Sequence, residues 1–210
     1  MLSSMAEAAV CLLDDDAIVL RRTGVRFPVE LRPAGFEPDD LSTWPSAEGR
    51  LEWVGGRLLY MPPCADVQQD VCVDVVHALR SWSERQPECV VGANEAGMNL
   101  GADIRAADAA VWLRESVGAS KGRLRQTAPV LAVEVAGQDE DEVTLRQKAR
   151  WYLEHGVAVV WLVLPETREV VVLTAQTESR RARGEHLPEH AALPRLSPRV
   201  DEFFRQLDSL

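Results

Sequence analysis

What the chain lacks narrows its chemistry first. Its four cysteines, Cys11, Cys64, Cys72 and Cys89, form no CxxC pair and have no zinc-like spacing with histidine. Free thiols in a reducing cytoplasm are the expected state. No apolar run approaches the ~20 residues that span a bilayer, so no membrane anchor is expected. The opening "MLSSMAEAAVCLLDDD" lacks a basic leader and turns acidic at once, unlike a secretory signal. A Gly-rich phosphate loop is missing, and with it any sign of ATP use. So is the stripe of basic and aromatic residues that stacks single strands. Positive charge is scarce: the net charge of −10 argues against a protein that coats DNA non-specifically. A nuclease with an acidic metal site and local DNA contacts is still allowed.

What is present suits a globular chain. With 210 residues and 46% apolar content, one domain with a sizeable core is expected. Residues 1–45 form an N-terminal extension with an acidic triplet, Asp14 to Asp16, and room for a short strand and a short helix. Residues 46–210 form the main domain. "RLEWVGGRLLYM" (50–61) predicts a β-hairpin, because Gly55-Gly56 allows positive φ at both turn positions. "DVQQDVCVDVVHALRSWSE" places Val71, Val75, Leu79 and Trp82 on one helical face, with Asp66 available as N-cap. "ECVVGANEAGMNLG" predicts a strand and turn, and "DAAVWLRE" a short strand opening on Asp108. "VLAVEVA" is apolar on both alternating faces, as a strand covered on both sides requires. "EDEVTLRQKARWYLEHG" predicts a helix with acids at its start and Gly156 past its end. "VAVVWLVLP" and "REVVVLTA" predict further strands, and "VDEFFRQL" a terminal helix. This order indicates an α/β sandwich with a mixed central sheet flanked by helices.

Two charges break the apolar pattern. Glu134 lies inside the doubly covered strand, on the face of Ala132 and Ala136. Lys148 lies on the helical stripe of Leu145, Ala149, Tyr152 and Leu153. An unpaired buried carboxylate would cost several kcal/mol or take up a proton. A buried Glu134–Lys148 ion pair would satisfy both, or Lys148 could extend its ammonium to solvent. Asp108 opens another possibility, since it begins a strand expected beside that of Glu134. Two carboxylates from adjacent strands, with the backbone carbonyl of Val135, make an all-oxygen site suited to Mg²⁺ or Mn²⁺. Such an ion can activate water for attack on a phosphodiester, and a lysine in the same cavity could steady the phosphorane.

"RLEWVGGRLLYMPP", "AADAAVWL", "PVLAVEVAGQDEDEVTLRQKARWYLEHGVAVVWLVLPETREVVVL" and "PRVDEFFRQL" together resemble the Uma-type restriction endonucleases of the PD-(D/E)XK nuclease superfamily. The likeness runs from about residue 48 to the C-terminus. It implies a restriction-endonuclease-like sandwich with an N-terminal β-hairpin and a divalent-metal endonuclease acting on double-stranded DNA. It also implies a homodimer, because cutting both strands calls for two sites. Asp108 and Glu134 fall on the family's metal-binding acids. The superfamily's lysine, ordinarily two residues after the glutamate, gives way to Ala136 and falls on Lys148 of the next helix. Glu52 falls on an upstream acid that assists, although alternation around Leu51 and Trp53 places it outward. The sequence departs from the family at Ala107, at Gln68 where a histidine is common, and at Gly137-Gln138-Asp139-Glu140 in place of Ser-Pro-Ser-Asp. The competing expectation is an inactive nuclease fold serving as a protein-binding module.

Other signals carry less. Glu95 is expected in a solvated turn. "HLPEH" (186–190) has a zinc-protease spacing, but Pro188 between the histidines predicts a loop and no zinc. His77 is expected on a helix surface and His155 at a helix C-terminus. The clusters Lys121, Arg123, Arg125 and Arg180, Arg181, Arg183 are expected in loops, solvated or touching phosphates.

Overall fold

The computed structural model describes residues 11–12 and 18–19 as backbone, and residues 27–119, 122–138 and 140–209 in full. Asp14 to Asp16, Lys121 and Asp139 lie outside the described residues. Strands β1 (Cys11–Leu12) and β2 (Ile18–Val19) pair with each other. The remaining nine strands form one mixed sheet, and no described helix is long and apolar enough to cross a membrane.

The expected hairpin is β4 (Arg50–Val54) and β5 (Arg57–Met61), turning at Gly55 and Gly56 with φ of 58° and 77°. Its free edge takes β3 (Val29–Leu31), from the stretch read as an extension, ahead of a 3₁₀ turn at Leu41–Thr43. Helix α1 (Asp66–Ser83) buries Val71, Val75 and Leu79 as its spacing predicts; its N-cap is Ala65, not Asp66, which is the first helical residue. A long hairpin follows, β6 (Cys89–Leu100) and β7 (Asp103–Leu113), then the one-turn α2 (Arg114–Val117). Glu95 therefore lies within a strand, not in the expected turn.

Strand β8 (Leu131–Val135) is buried at all five positions. Helix α3 (Glu142–Glu154) carries the chain from β8 to its parallel neighbour β9 (Val159–Leu164). Asp141 caps α3 by accepting from the Thr144 amide at 2.8 Å. Strands β10 (Glu169–Leu173) and β11 (Glu178–Arg181) complete that side of the sheet. The expected terminal helix is shorter than its pattern: a 3₁₀ turn, Val200–Phe203, then α4 (Arg205–Asp208).

The core has two layers. Val71, Val75 and Leu79 of α1 pack with Leu131, Val133 and Val135 of β8 and with Phe203 and Phe204. On the other face, Leu145, Ala149 and Tyr152 of α3 pack with Ala132, Val160 and Leu162. The doubly covered strand is thus a helix–sheet–helix sandwich, as its unbroken apolar run requires.

The sheet forks at β7. Strand β6 follows one edge of β7 from Leu113 to Asp103. The other edge is shared: β8 takes Ala109 to Val111, and β4 touches only at Ile104. Residues 105–108 therefore face a gap between β4 and β8. A bulge sits opposite, where Ala93 pairs Ala109 and Ala96 pairs Ala107, so Asn94 and Glu95 oppose the single residue Asp108. Both bulge residues have left-handed φ, 57° and 56°. Across Asp108 the alternation of β7 slips: Ala107 and Ala110 join the α3-side core, Ala109 and Val111 the α1-side core. Bulges of this kind re-aim side chains.

Candidate active site at the fork of the sheet

An open strand edge inside a protein must find donors and acceptors other than a strand. Here side chains supply them. The Ala106 N–H donates to Glu52 Oε1 at 3.2 Å, and the Ala106 carbonyl accepts from Lys148 Nζ at 3.1 Å. The Val135 N–H, past the end of the β7–β8 ladder, donates to Asp108 Oδ2 at 2.7 Å. The charges that interrupt the apolar pattern are the groups that finish the sheet.

These groups close a circuit. Asp108 lies 3.5 Å from Arg50, Arg50 lies 3.5 Å from Glu52, and Glu52 lies 3.3 Å from Lys148. Lys148 donates to Glu134 Oε2 at 2.7 Å, and the residue after Glu134 returns to Asp108 through its amide. Glu52, Asp108, Glu134 and Lys148, singled out along 97 residues of sequence, thus meet in one place. Glu52 points inward with 1% of its side chain exposed, against the outward placement its alternation suggested. Lys148 is buried too, and does not reach solvent. Lys148 Nζ donates to Glu134 and to the Ala106 carbonyl, and it lies 3.3 Å from Glu52 as an ion pair.

Three further members of the circuit leave no anomaly in the sequence pattern. Arg105 Nε donates to Glu52 Oε2 at 2.9 Å and stacks its guanidinium over Trp151. Tyr152 donates its hydroxyl to Glu134 Oε1 at 2.6 Å. Arg50 is the third. Their signals were spacing alone: Arg50 lies two residues before Glu52 on one strand face, and Tyr152 four after Lys148 on one helix face.

Burial and charge pull these groups in opposite directions. For Glu52, burial pushes the pKa up, but Lys148, Arg105 and Arg50 outweigh it and hold the carboxyl down at about 2. For Asp108 and Glu134 burial wins: both stay above the usual carboxylate range, although Lys148 and Arg50 pull each down. The Asp108 charge adds to the upward push on Glu134. Burial also raises the Tyr152 hydroxyl, so it remains a donor.

Whether these residues suit a divalent cation is a question of donor type and direction. The donors are hard oxygens from adjacent strands, and the Lys148 ammonium already stands as a cation between Glu52 and Glu134. The set fits in kind. In this conformation, however, both Glu134 oxygens are engaged, and the Val135 carbonyl, expected as a metal ligand, accepts from Gln68 Nε2 at 3.0 Å. Among the described residues no group of three or more His, Cys, Asp or Glu is arranged to hold an ion. For Glu134 Oε2 and the Val135 carbonyl to face a cation, Lys148 and Gln68 would have to shift. Gln68 and Gly137, both departures from the family pattern, meet each other: a Cβ at residue 137 would lie 3.0 Å from Gln68 Oε1.

The other sequence signals fall away from the fork. Arg180 and Arg183 are paired with Glu142, Glu169, Asp201 and Asp208, and Arg180 lies on a strand rather than a loop. Arg125 lies over the Trp112 ring. His186 and His190 lie outside any helix, as Pro188 predicts. His77 is exposed on α1, and the His155 ring stacks on Trp151.

Known proteins agree with this architecture. No curated protein matches the chain. Among solved structures, "a putative nuclease belonging to DUF820 from Anabaena variabilis ATCC 29413" superposes with a TM-score of 0.71 at 17% identity, covering 82% of this chain and 99% of that one. That likeness establishes the fold, restriction-endonuclease-like, with helices on both faces of a mixed sheet. A family model described as "Uma2: Putative restriction endonuclease" matches residues 38–201. The match includes every residue of the circuit, and the chain belongs to the Uma2 family.

Proposed function

We propose that the chain is a divalent-metal-dependent endonuclease that hydrolyses phosphodiester bonds in double-stranded DNA. One observation carries this reading: at the open edge of β7, Asp108, Glu134, Glu52 and Lys148 converge from four elements into one buried circuit. Asp108 and Glu134, with the Val135 carbonyl, would hold Mg²⁺ or Mn²⁺. A bound ion would supply activation of water and offset charge growing on the phosphorus.

The chain's own residues have separable tasks. Lys148 presents a buried ammonium where the attacking water or the phosphorane needs positive charge, and burial strengthens that field. Glu52 assists by orienting Lys148 and Arg105, not by taking a proton, because its pKa near 2 makes it a poor base. Tyr152 fixes the carboxylate plane of Glu134. Two such sites, in a homodimer, would cut both strands.

The decisive experiment incubates purified protein and Asp108→Ala with supercoiled plasmid and Mn²⁺. Nicking by the wild type alone supports the reading. Nicking by both exposes a contaminant, and nicking by neither rejects it. The second reading, an inactive nuclease fold acting as a binding module, draws on the charge balance. Glu52, Asp108 and Glu134 face Arg50, Arg105 and Lys148, so the circuit is neutral as it stands.

A further inference from the structure

Within the circuit the three cations are not equivalent. Lys148 and Arg105 reach their carboxylates at 2.7 and 2.9 Å. Arg50 reaches neither partner closely: both contacts are 3.5 Å, beyond ordinary charge-assisted hydrogen bonds. Its side chain is 9% exposed, yet its Nε has no hydrogen-bond partner among the described residues. A buried donor left unpaired is costly, and native proteins keep few of them. Glu52, Glu134 and Asp108 hold the guanidinium charged against its burial. The site thus contains a charged planar fork that is attracted inward but not consumed. Among the three carboxylates of the circuit, Asp108 is the most exposed, at 10% against 1% for Glu52 and Glu134.

We propose that Arg50 binds a non-bridging oxygen of the scissile phosphate, making the fork an anion site as well as a carboxylate cluster. The inference rests on the nuclease reading above and adds to it the group that recognises the phosphate. A guanidinium suits the task, since its fixed donors match phosphate oxygens and it cannot lose its proton. Lys148 and Arg105 are paired more tightly, at 2.7 and 2.9 Å, and are less available for the same oxygen. Arg50 shares a strand face with Glu52, so the hairpin delivers the phosphate receptor and the lysine-orienting acid together.

The test measures binding of a dye-labelled DNA duplex in EDTA over a range of salt, for the wild type, Arg50→Gln and Arg50→Lys. Each lost phosphate contact makes the slope of log K against log salt shallower by ~0.9. R50Q is expected to lose about one such unit, and R50K to keep the wild-type slope. An unchanged slope in folded R50Q overturns this inference and leaves the nuclease reading intact; a wild type that binds no duplex in EDTA also overturns it, and the Mn²⁺ nicking experiment judges the nuclease reading by itself. Should R50Q fail to fold, R50K decides through inorganic phosphate. Phosphate is expected to raise the wild-type Tm above that in chloride of equal ionic strength, and to raise that of R50K by less than half as much. Equal gains overturn the inference.

Discussion

Helix α3 carries a charge network on each of two faces, and the two differ in the opposite sense from their appearance. Outward, Arg146 grips both oxygens of Glu178 at 2.8 and 2.9 Å, and Arg180 ties Glu142 to Glu169. Inward, Lys148 sits among Glu134, Glu52 and loosely held Arg50. The outer network has the better geometry, but its side chains are 26–50% exposed, against 1–13% for the inner one. Exposed pairs are screened and contribute ~0–1 kcal/mol. Inner charges cannot be rehydrated, so removing one partner strands the others. Burial, not bond length, sets the weight of each network.

The strongest break is Lys148→Met, which leaves Glu134 without its cation. A loss of ~3–5 kcal/mol is expected in urea unfolding, together with loss of Mn²⁺-dependent nicking. Adding Glu134→Leu should recover part of the stability and none of the nicking. A single variant as stable as the wild type would contradict the burial argument.

Glu52→Gln sharpens the contrast through pH. Folded Glu52 keeps its charge down to about pH 2, while its ordinary pKa is 4.5. The unfolded chain takes up the proton first, so the stabilisation is complete above about pH 4.5 and is lost as pH falls to about 2. At 1.36 kcal/mol per pKa unit this amounts to about 3 kcal/mol. Asp108 and Glu134 act in reverse: their raised pKa values make the folded state bind protons more tightly, so their contribution declines as pH rises. Stability of E52Q measured by denaturant across acid pH should therefore lack the steep acid loss.

Gln68→Ala releases the Val135 carbonyl. Losing a buried hydrogen bond is expected to cost about 1–2 kcal/mol in thermal unfolding. If the amide competes with a cation for that oxygen, the Mn²⁺ concentration for half-maximal nicking should fall; an increase would mark Gln68 as a support instead. The smallest effect belongs to the outer network. Arg146→Ala should change stability by less than about 1 kcal/mol, less still at high salt, and leave nicking unchanged.

Much of the fold was legible because periodicity reports burial. The unbroken apolar run at β8, the stripe of α3 and the Gly55-Gly56 turn each matched a single element. Glu134 and Lys148 were legible as anomalies, since a charge inside a burial pattern demands a partner. Glu52 was not, because alternation on a strand at the fork no longer separates solvent from core. Glu95 was read as a turn, while here Asn94 and Glu95 form a left-handed bulge across from Asp108. The Val135 carbonyl looked free because nothing local reveals a donor 67 residues away.

By itself the sequence determined the central strands and the two long helices, which of their faces are covered, and that two interior charges must be answered. These are local properties, written in spacing and in the solvation cost of single groups. Only the tertiary structure decided where the answers come from. The fork places β4 and β8 on one edge of β7, and the gap between them must be filled by side chains from Arg50 to Tyr152. That choice depends on strand order and register, which join residues far apart in the chain and leave no periodic trace in it.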